Sequence, residues 1–138
     1  PGNLGSIIRS ADAFSVAGIL LIGHTVDPYS TEAVRASMGS IVNVPLVRVD
    51  EDAYLRWYKG WAGRIVGTHL RATVRPESVA RGQPTLLLMG NEQSGLTDRI
   101  AASCTDLVRI PMRDGADSLN LAAATAIMLY AIAAPADA

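Results

Sequence analysis

Apolar positions along the chain switch between two spacings, and each switch marks an element. Leu4, Ile7, Ile8, Ala11 and Phe14 recur at helical spacing. Asn3 is placed to cap that helix and Gly18 to end it. Ile19-Leu20-Leu21-Ile22 is a short unbroken apolar run, as expected of a strand covered on both faces. Thr31 is placed to cap a second helix that runs to Met38 and stops at Gly39. Leu46–Val49 predicts a second strand with Pro45 at its entry, and Asp50 opens a helix through Tyr54, Trp57 and Tyr58. Arg64–Thr68 predicts a third strand, and residues 71–84, with Pro76, Gly82 and Pro84, read as loop. Residues 85–89 predict a fourth strand, Thr97 caps a short helix reaching Ser103, and residues 106–110 predict a fifth strand. A glycine-containing loop over 111–117 leads to Ser118, where a long helix to Ala133 is expected to begin.

Strands alternating with helical stretches predict an α/β domain, a mostly parallel sheet with helices on both faces. At 138 residues, 49% of them apolar, the chain is one domain with ample material for a core. No 20–50-residue period and no low-complexity segment interrupts it. The formal net charge is −1, so the domain as a whole has little pull on a polyanion, and RNA contact would have to come from local arginines. Eleven of the twelve basic residues are Arg, with Lys59 the exception, a bias that a GC-rich genome explains as well as phosphate binding does. Cys104 is alone, which excludes an internal disulfide, and His24 and His69 stand too far from it in sequence to suggest a metal site. No metal and a cytoplasmic location are expected; neither a membrane span nor a signal peptide is present in the sequence. The chain begins at Pro1 and reads as part of a longer protein, with the domain over 1–134 and a frayed tail over 135–138.

Three segments carry candidate chemistry. In Asn3-x-Gly5-x-x-x-Arg9, Gly5 permits a close backbone approach and Arg9 follows one helical turn later. The plain structural reading is a helix start with one solvated arginine. In the second, the strand Leu86-Leu87-Leu88-Met89 runs into Gly90-Asn91-Glu92-Gln93-Ser94-Gly95-Leu96. Open α/β sheets bind ligands beyond the carboxyl ends of their strands, so a cofactor would sit at this turn. It is neither a Walker loop, lacking Gly-Lys-Ser/Thr, nor a dinucleotide fingerprint, its glycine spacing being wrong. An ordinary strand-to-helix turn with Glu92 solvated is the alternative. The third is Ile110-Pro111-Met112 followed by Ser118-Leu119-Asn120. Ser118 reads as an N-cap, whereas Asn120 is a mediocre helix former in a first turn. The helix beyond it is apolar almost all round and is expected to be buried on several sides.

Together, and in this order, the three segments resemble the SpoU/TrmH RNA ribose 2′-O-methyltransferases, a branch of the knotted SPOUT superfamily. The likeness covers essentially the whole chain. It extends to Ala36-Ser37-Met38-Gly39-Ser40 with Pro45, and to Gly67-Thr68-His69-Leu70. The sequence departs from the pattern at Ser15, where glycine is usual, at Leu121-Ala122-Ala123, and in the charged loop Arg113-Asp114-Gly115-Ala116-Asp117. A strand that usually precedes the first motif, and the RNA-binding domain that many members carry before it, are absent from this sequence.

The resemblance implies an α/β knot fold, with the C-terminal third threaded as a trefoil knot, and a homodimer. It implies S-adenosylmethionine as cofactor, contacted by Thr68, Gly90, Ile110 and Leu119. At Gly90 the reason would be that a side chain fills the adenine pocket. The catalytic group would be Arg9, acting on the adjacent phosphate and the developing alkoxide, with abstraction by a deprotonated Arg9 left open. Free guanidinium is effectively always charged, which favours the electrostatic role. Asn3, Glu92, Ser118 and Asn120 would arrange Arg9 and the ribose. The arginine of one chain would reach the pocket of the other. RNA, either tRNA or rRNA, would be the partner, with Arg9, Arg35, Arg71, Arg75 and Arg113 as candidates for phosphate contact. Three other readings stand beside this one. Base methylation by another SPOUT branch is opposed by Ser118-Leu119-Asn120 together with Arg9. A non-catalytic RNA-binding module is opposed by the retention of Arg9, Glu92, Ser118 and Asn120. A nucleotide-binding oxidoreductase domain is opposed by the missing fingerprint.

Overall fold

The computed structural model describes residues 2–23, 39, 43–79, 82–90, 95–115 and 119–133. Helix α1 spans Gly2–Ala13 and leads into strand β1, Ile19–Ile22. Strand β2, Leu46–Val49, is followed by helix α2, Glu51–Trp57, and a 3-10 turn, Tyr58–Gly60. Strand β3 is Arg64–Thr68 and strand β4 Thr85–Leu88, with a 3-10 turn at Pro76–Ser78 between them. Helix α3, Asp98–Ala101, strand β5, Asp106–Val108, and helix α4, Leu121–Ala133, complete the chain.

Every described strand pair is parallel, and the strands form two sheets rather than one. β1 pairs with β2, from Ile19 opposite Leu46 to Ile22 opposite Val49. β3 lies between β4 and β5 in the second sheet. The two sheets meet through side chains: Leu20, Ile22 and Val49 pack against the cluster built on Tyr54, Ile65, Leu88 and Ile100. Successive side chains of a strand point to opposite faces, and β3 uses this to join two cores. Ile65 faces the α2–α3 side with Tyr54 and Ile100. Val66, next in line, faces α4 with Val108 and Met128. Helices therefore cover both faces of this sheet, as the alternating pattern predicts. A third cluster seats Leu4, Ile8 and Ala11 of α1 on Leu21 of β1.

The buried polar residues Ser103 and Thr125 are hydrogen-bonded. Ser103 donates to the Ile100 carbonyl at 2.6 Å, so the Tyr54 hydroxyl donates to Ser103 Oγ at 3.0 Å. Thr125 Oγ1 donates to Leu121 O at 2.8 Å. Asp50 caps α2 by accepting from Ala53 N at 2.7 Å, and Thr97 caps α3 by accepting from Ile100 N at 3.2 Å. Arg99 bridges the two helices, 3.1 Å from Glu51 and 2.7 Å from Asp52. Its guanidinium holds the Asp52 carboxyl below the ordinary range.

Several boundaries differ from expectation, each for a local reason. Asn3 does not cap α1, because the helix already includes Gly2. α1 ends at Ala13, well before Gly18, in a left-handed Ser15 with φ 57°. Ser15 N donates to Asp12 O and Val16 N to Ala11 O, the paired bonds of a Schellman stop. β4 stops at Leu88, whose partner Gly67 is the last in that ladder, instead of Met89, and β5 stops at Val108, opposite the β3 end at Thr68, instead of Ile110. α3 stops at Ala101, and bonds from Ser103 N to Ile100 O and from Cys104 N to Ala101 O tighten its exit. The segment read as loop over 71–84 contains the 3-10 turn and a parallel bridge from Val74 to Val108. α4 begins at Leu121, three residues later than expected from Ser118, because Asn120 is its cap: Asn120 Oδ1 accepts from Ala123 N at 3.2 Å. The helix expected from Thr31 to Met38 and the tail over 135–138 lie outside the described residues, as does Ser118 itself. No described helix is long and apolar enough to cross a membrane.

Candidate active site

β3, β4 and β5 are parallel, so their carboxyl ends lie on one edge of the sheet. Thr68 is the last residue of β3 and pairs with Val108 of β5. Gly90 lies two residues past Leu88 at the end of β4, and Ile110 two past Val108 at the end of β5. Three of the four expected cofactor contacts, Thr68, Gly90 and Ile110, are thus brought to one edge by the register. All three are half-buried, as is Met89, so the edge is a partly apolar rim. Ile110 and Met89 also pack against the Val66–Met128 core, which fixes the rim to α4. Leu119, the fourth contact, is half-buried and immediately precedes the Asn120 cap of α4.

The fold itself gives a reason for glycine at position 90, beside the expected one of an adenine pocket. A Cβ there would lie 2.2 Å from Gly95 C and 2.3 Å from Leu96 N. The collision is with the chain's own backbone, where residue 90 meets residues 95 and 96, and these atoms have no rotamer by which to withdraw. Gly95 itself has φ 68° in the left-handed region. Gly67 of β3 is also closely packed, but against movable atoms. Its Cβ would meet Cys104 Sγ at 2.6 Å and Leu96 Cδ1 at 2.9 Å. Burial at this packed position pushes the Cys104 thiol up to about 11, so it remains a neutral thiol at ordinary pH and reads as a packing residue rather than a nucleophile.

The polar candidates gather where α1 meets α4. Asn120 Nδ2 donates to Asn3 Oδ1 at 2.8 Å, joining residues 117 apart in sequence. The amide orientations follow from the bonds: Asn120 must turn its oxygen to Ala123 N, which leaves its NH2 for Asn3. Asn120 is thus both helix cap and bridge. Arg9 stands exposed on α1 and makes no hydrogen bond or ion pair among the described residues. The structure therefore joins Asn3 to Asn120, aligns Thr68, Gly90 and Ile110, and leaves Arg9 apart from both groups. Glu92 and Ser118 lie outside the described residues, as does Arg35.

Among the other basic candidates, Arg75 is occupied by Glu77 at 2.6 Å, and Arg113 donates to the Asp114 carbonyl at 3.3 Å. Arg71 is exposed, and so is Arg109, a residue the sequence patterns did not single out. The available signal was alternation carried beyond the end of β5, with Val108 buried, Arg109 exposed and Ile110 half-buried. Among the described residues no group of three or more His, Cys, Asp or Glu side chains is placed to hold a metal ion.

Residues 1–130 match the SpoU rRNA Methylase family profile. The chain is 42% identical over 139 aligned positions to the 23S rRNA (uridine(2479)-2'-O)-methyltransferase of Streptomyces viridochromogenes, covering 96% of this chain and 48% of that protein. It is 33% identical over 131 positions to the 23S rRNA (guanosine(2553)-2'-O)-methyltransferase RlmP of Bacillus subtilis, covering 94% of this chain and 52% of that protein. Among solved structures, it is similar to the AdoMet-bound rRNA methyltransferase from Sinorhizobium meliloti, with a TM-score of 0.89 and 48% identity. That match covers 94% of this chain and 50% of the solved one. The chain thus spans about half the length of the curated relatives it matches.

Proposed function

Because this chain belongs to the SpoU rRNA methylase family, we propose that it is the catalytic domain of an enzyme that methylates a ribose 2′-hydroxyl of RNA, with S-adenosylmethionine as donor. The carrying observation is the common edge formed by Thr68, Gly90 and Ile110 at the ends of three adjacent parallel strands. Ligands of open parallel sheets bind beyond this edge. The fit is chemical as well as positional: half-buried Met89, Ile110 and Leu119 offer apolar walls, and the backbone past each strand end offers polar groups. The bound donor would supply an electrophilic methyl group on a sulfonium sulfur.

The work of the protein is to bring a ribose hydroxyl into line and to make its oxygen a better nucleophile. Arg9, exposed and making no hydrogen bond or ion pair among the described residues, is available to bind the phosphate next to the reacting ribose and to stabilise negative charge on the oxygen as its proton leaves. Asn3 and Asn120 are held by one another in a fixed orientation and present a polar rim for the sugar. Glu92 and Ser118 remain part of this proposed set. Ribosomal RNA is the favoured substrate, because the relatives at 42% and 33% identity are named for 23S rRNA.

The same reading includes the trefoil knot, a cytoplasmic location and a homodimer in which Arg9 serves the partner's cofactor site. Support for the dimer is the apolar outer face of α4. Tyr130 is 69% exposed and Ile127 43% exposed there, with Phe14 of α1 set edge-on to Tyr130 at 6.5 Å. The deciding experiment incubates the full chain with S-adenosylmethionine labelled at its methyl group and an unmodified 23S rRNA transcript, then maps alkali-resistant 2′-O-methyl linkages. Label at one ribose is expected. Label on a base, or calorimetry showing no cofactor binding at millimolar concentration, would overturn the reading. Mixing Arg9→Ala with Asn120→Ala chains tests the shared site: partial recovery of activity is expected from a dimer with exchanged arginines.

A further inference from the structure

We propose that the loop over residues 69–74, together with Arg109, is a phosphate-binding edge that receives the RNA strand beside the cofactor site; the inference rests on the methyltransferase reading above. The loop is pinned at both ends to the same short stretch. His69 N donates to Val108 O at 2.9 Å, and Arg109 N donates to Val74 O at 2.9 Å. Val74 forms a parallel bridge with Val108 as well. Inside the loop, Ala72 N donates to His69 O at 3.2 Å and Arg71 N to His69 Nδ1 at 3.1 Å, so the turn is bonded internally. A loop tied in this way presents its side chains from a preset backbone, which reduces the ordering cost of binding.

The outward side chains suit a polyanion. Arg71 and Arg109 are exposed, and among the described residues neither guanidinium makes an ion pair or a hydrogen bond. The nearby acidic groups are engaged elsewhere. Glu77 is held by Arg75, and Asp106 by Arg64 at 2.6 Å. Leu70 is 71% exposed at the loop crest and Val74 44% exposed at its base, an apolar surface against which a sugar or an unstacked base can lie. Position supplies the remaining argument. The loop starts at the residue after Thr68, and Arg109 precedes Ile110, so both arginines are held next to proposed cofactor contacts. A strand bound here is delivered to the edge where methyl transfer would occur. Arg75, a candidate from sequence, is paired with Glu77 and is not counted in this edge.

The test uses the full chain and an unmodified 23S rRNA transcript, with affinity measured across a salt series. Arg71→Ala/Arg109→Ala is expected to bind about tenfold more weakly near physiological salt. The slope of log affinity against log salt should become shallower by about 1.4, from two lost phosphate contacts at about 0.7 each. Arg71→Lys/Arg109→Lys should retain most of the slope, since phosphate contact needs charge rather than a fork. Arg75→Ala should change little. Cofactor affinity and melting temperature should be unchanged in all three, because among the described residues the altered side chains make no hydrogen bond or ion pair beyond the exposed Arg75–Glu77 pair. A double alanine variant with wild-type affinity and slope, in a protein that binds and methylates RNA, overturns this edge and leaves the methyltransferase reading intact. A wild-type chain that neither binds nor methylates RNA overturns both.

Discussion

At the ends of β3, β4 and β5 the candidate residues are fixed by backbone; where α1 meets α4, Asn3 and Asn120 are joined side chain to side chain. The strand register brings Thr68, Gly90 and Ile110 to one edge whatever their side chains are. At Gly90 the constraint is the absence of a side chain. By contrast, Asn3 and Asn120 are joined through their side chains, each with a set amide orientation. The first region can hold a cofactor through shape and backbone groups and tolerates change poorly. The second presents polar side chains at the surface, as suits the proposed contact with a substrate.

The contrast is tested most severely at Gly90. Gly90→Ala is expected to reduce S-adenosylmethionine affinity at least about 100-fold, because a Cβ placed 2.2 Å from Gly95 C and 2.3 Å from Leu96 N forces backbone apart. Gly67→Ala meets side-chain ends instead, at 2.6 Å and 2.9 Å. There the fold should persist at a cost of about 1–3 kcal/mol, the usual range for overpacking. Calorimetry with the cofactor and thermal melting separate the two effects. Equal tolerance of both alanines would remove the distinction between backbone and side-chain obstruction.

On the helix side, the largest effect is expected at Arg9. Arg9→Lys keeps the charge but loses the planar fork, and the methylation rate should fall about 100-fold, as for loss of one transition-state donor. Cofactor affinity should hardly move, since Arg9 makes no hydrogen bond to Thr68, Gly90 or Ile110. Single-turnover rates at saturating cofactor, set beside calorimetric affinities, check both halves. A wild-type rate in Arg9→Lys would remove its catalytic role.

How much of this was legible in the sequence divides along the same line. Strand cores such as Ile19–Ile22 and Arg64–Thr68 were readable because apolar runs and their spacing report burial directly. Their ends were not, since where β4 and β5 stop is a property of their ladders with β3 and not of Met89 or Ile110. Gly90 stood out in the sequence, but the backbone obstruction there did not, because the approach of Gly95 and Leu96 is a tertiary fact. Asn120 looked functional because it is a poor helix former, and the structure adds that it caps α4. The pairing of Asn3 with Asn120, like the pinning of loop 69–74 on Val108 and Arg109, joins distant segments and leaves no periodic trace.

The amide pair comes next in size. Asn120→Ala removes the cap of α4 and the bond to Asn3, and should cost about 1–2 kcal/mol, typical of a lost cap with one further exposed hydrogen bond. Asn120→Asp keeps an acceptor for Ala123 N but loses the donor to Asn3, so it should cost less than the alanine. A double-mutant cycle of Asn3→Ala with Asn120→Ala should give a coupling of about 0.5–1 kcal/mol by denaturant unfolding. A coupling of zero would mean that the bridge does not fix the two amides, and the helix side would then hold its candidates by packing alone.

The smallest expected effect has the opposite sign and lies at Ser15. Its φ of 57° places an L-residue with a Cβ in the left-handed region, at the position of a Schellman stop where glycine is preferred. The motif is otherwise complete, with Ser15 N bonded to Asp12 O at 3.1 Å and Val16 N to Ala11 O at 2.9 Å. The strain of the left-handed conformation, about 1–2 kcal/mol for an L-residue, disappears with glycine. Glycine also enlarges the conformational freedom of the unfolded chain, which returns about 0.4–1 kcal/mol of that gain. The net expectation for Ser15→Gly is a stabilisation of about 0.5–1 kcal/mol, or a rise in melting temperature of about 2–4 °C. Ser15→Val, branched at Cβ, should move the other way by a comparable amount. Ser15 is exposed at the far end of α1 from Asn3, so neither variant should alter cofactor affinity or methylation rate. The pair of glycine positions then gives the sharpest form of the contrast: adding one carbon at Gly90 should abolish binding, while removing a side chain at Ser15 should only steady a helix end. A Ser15→Gly protein no more stable than wild type would mean that this stop is held by Val16 packing against the α1 cluster rather than limited by its left-handed residue.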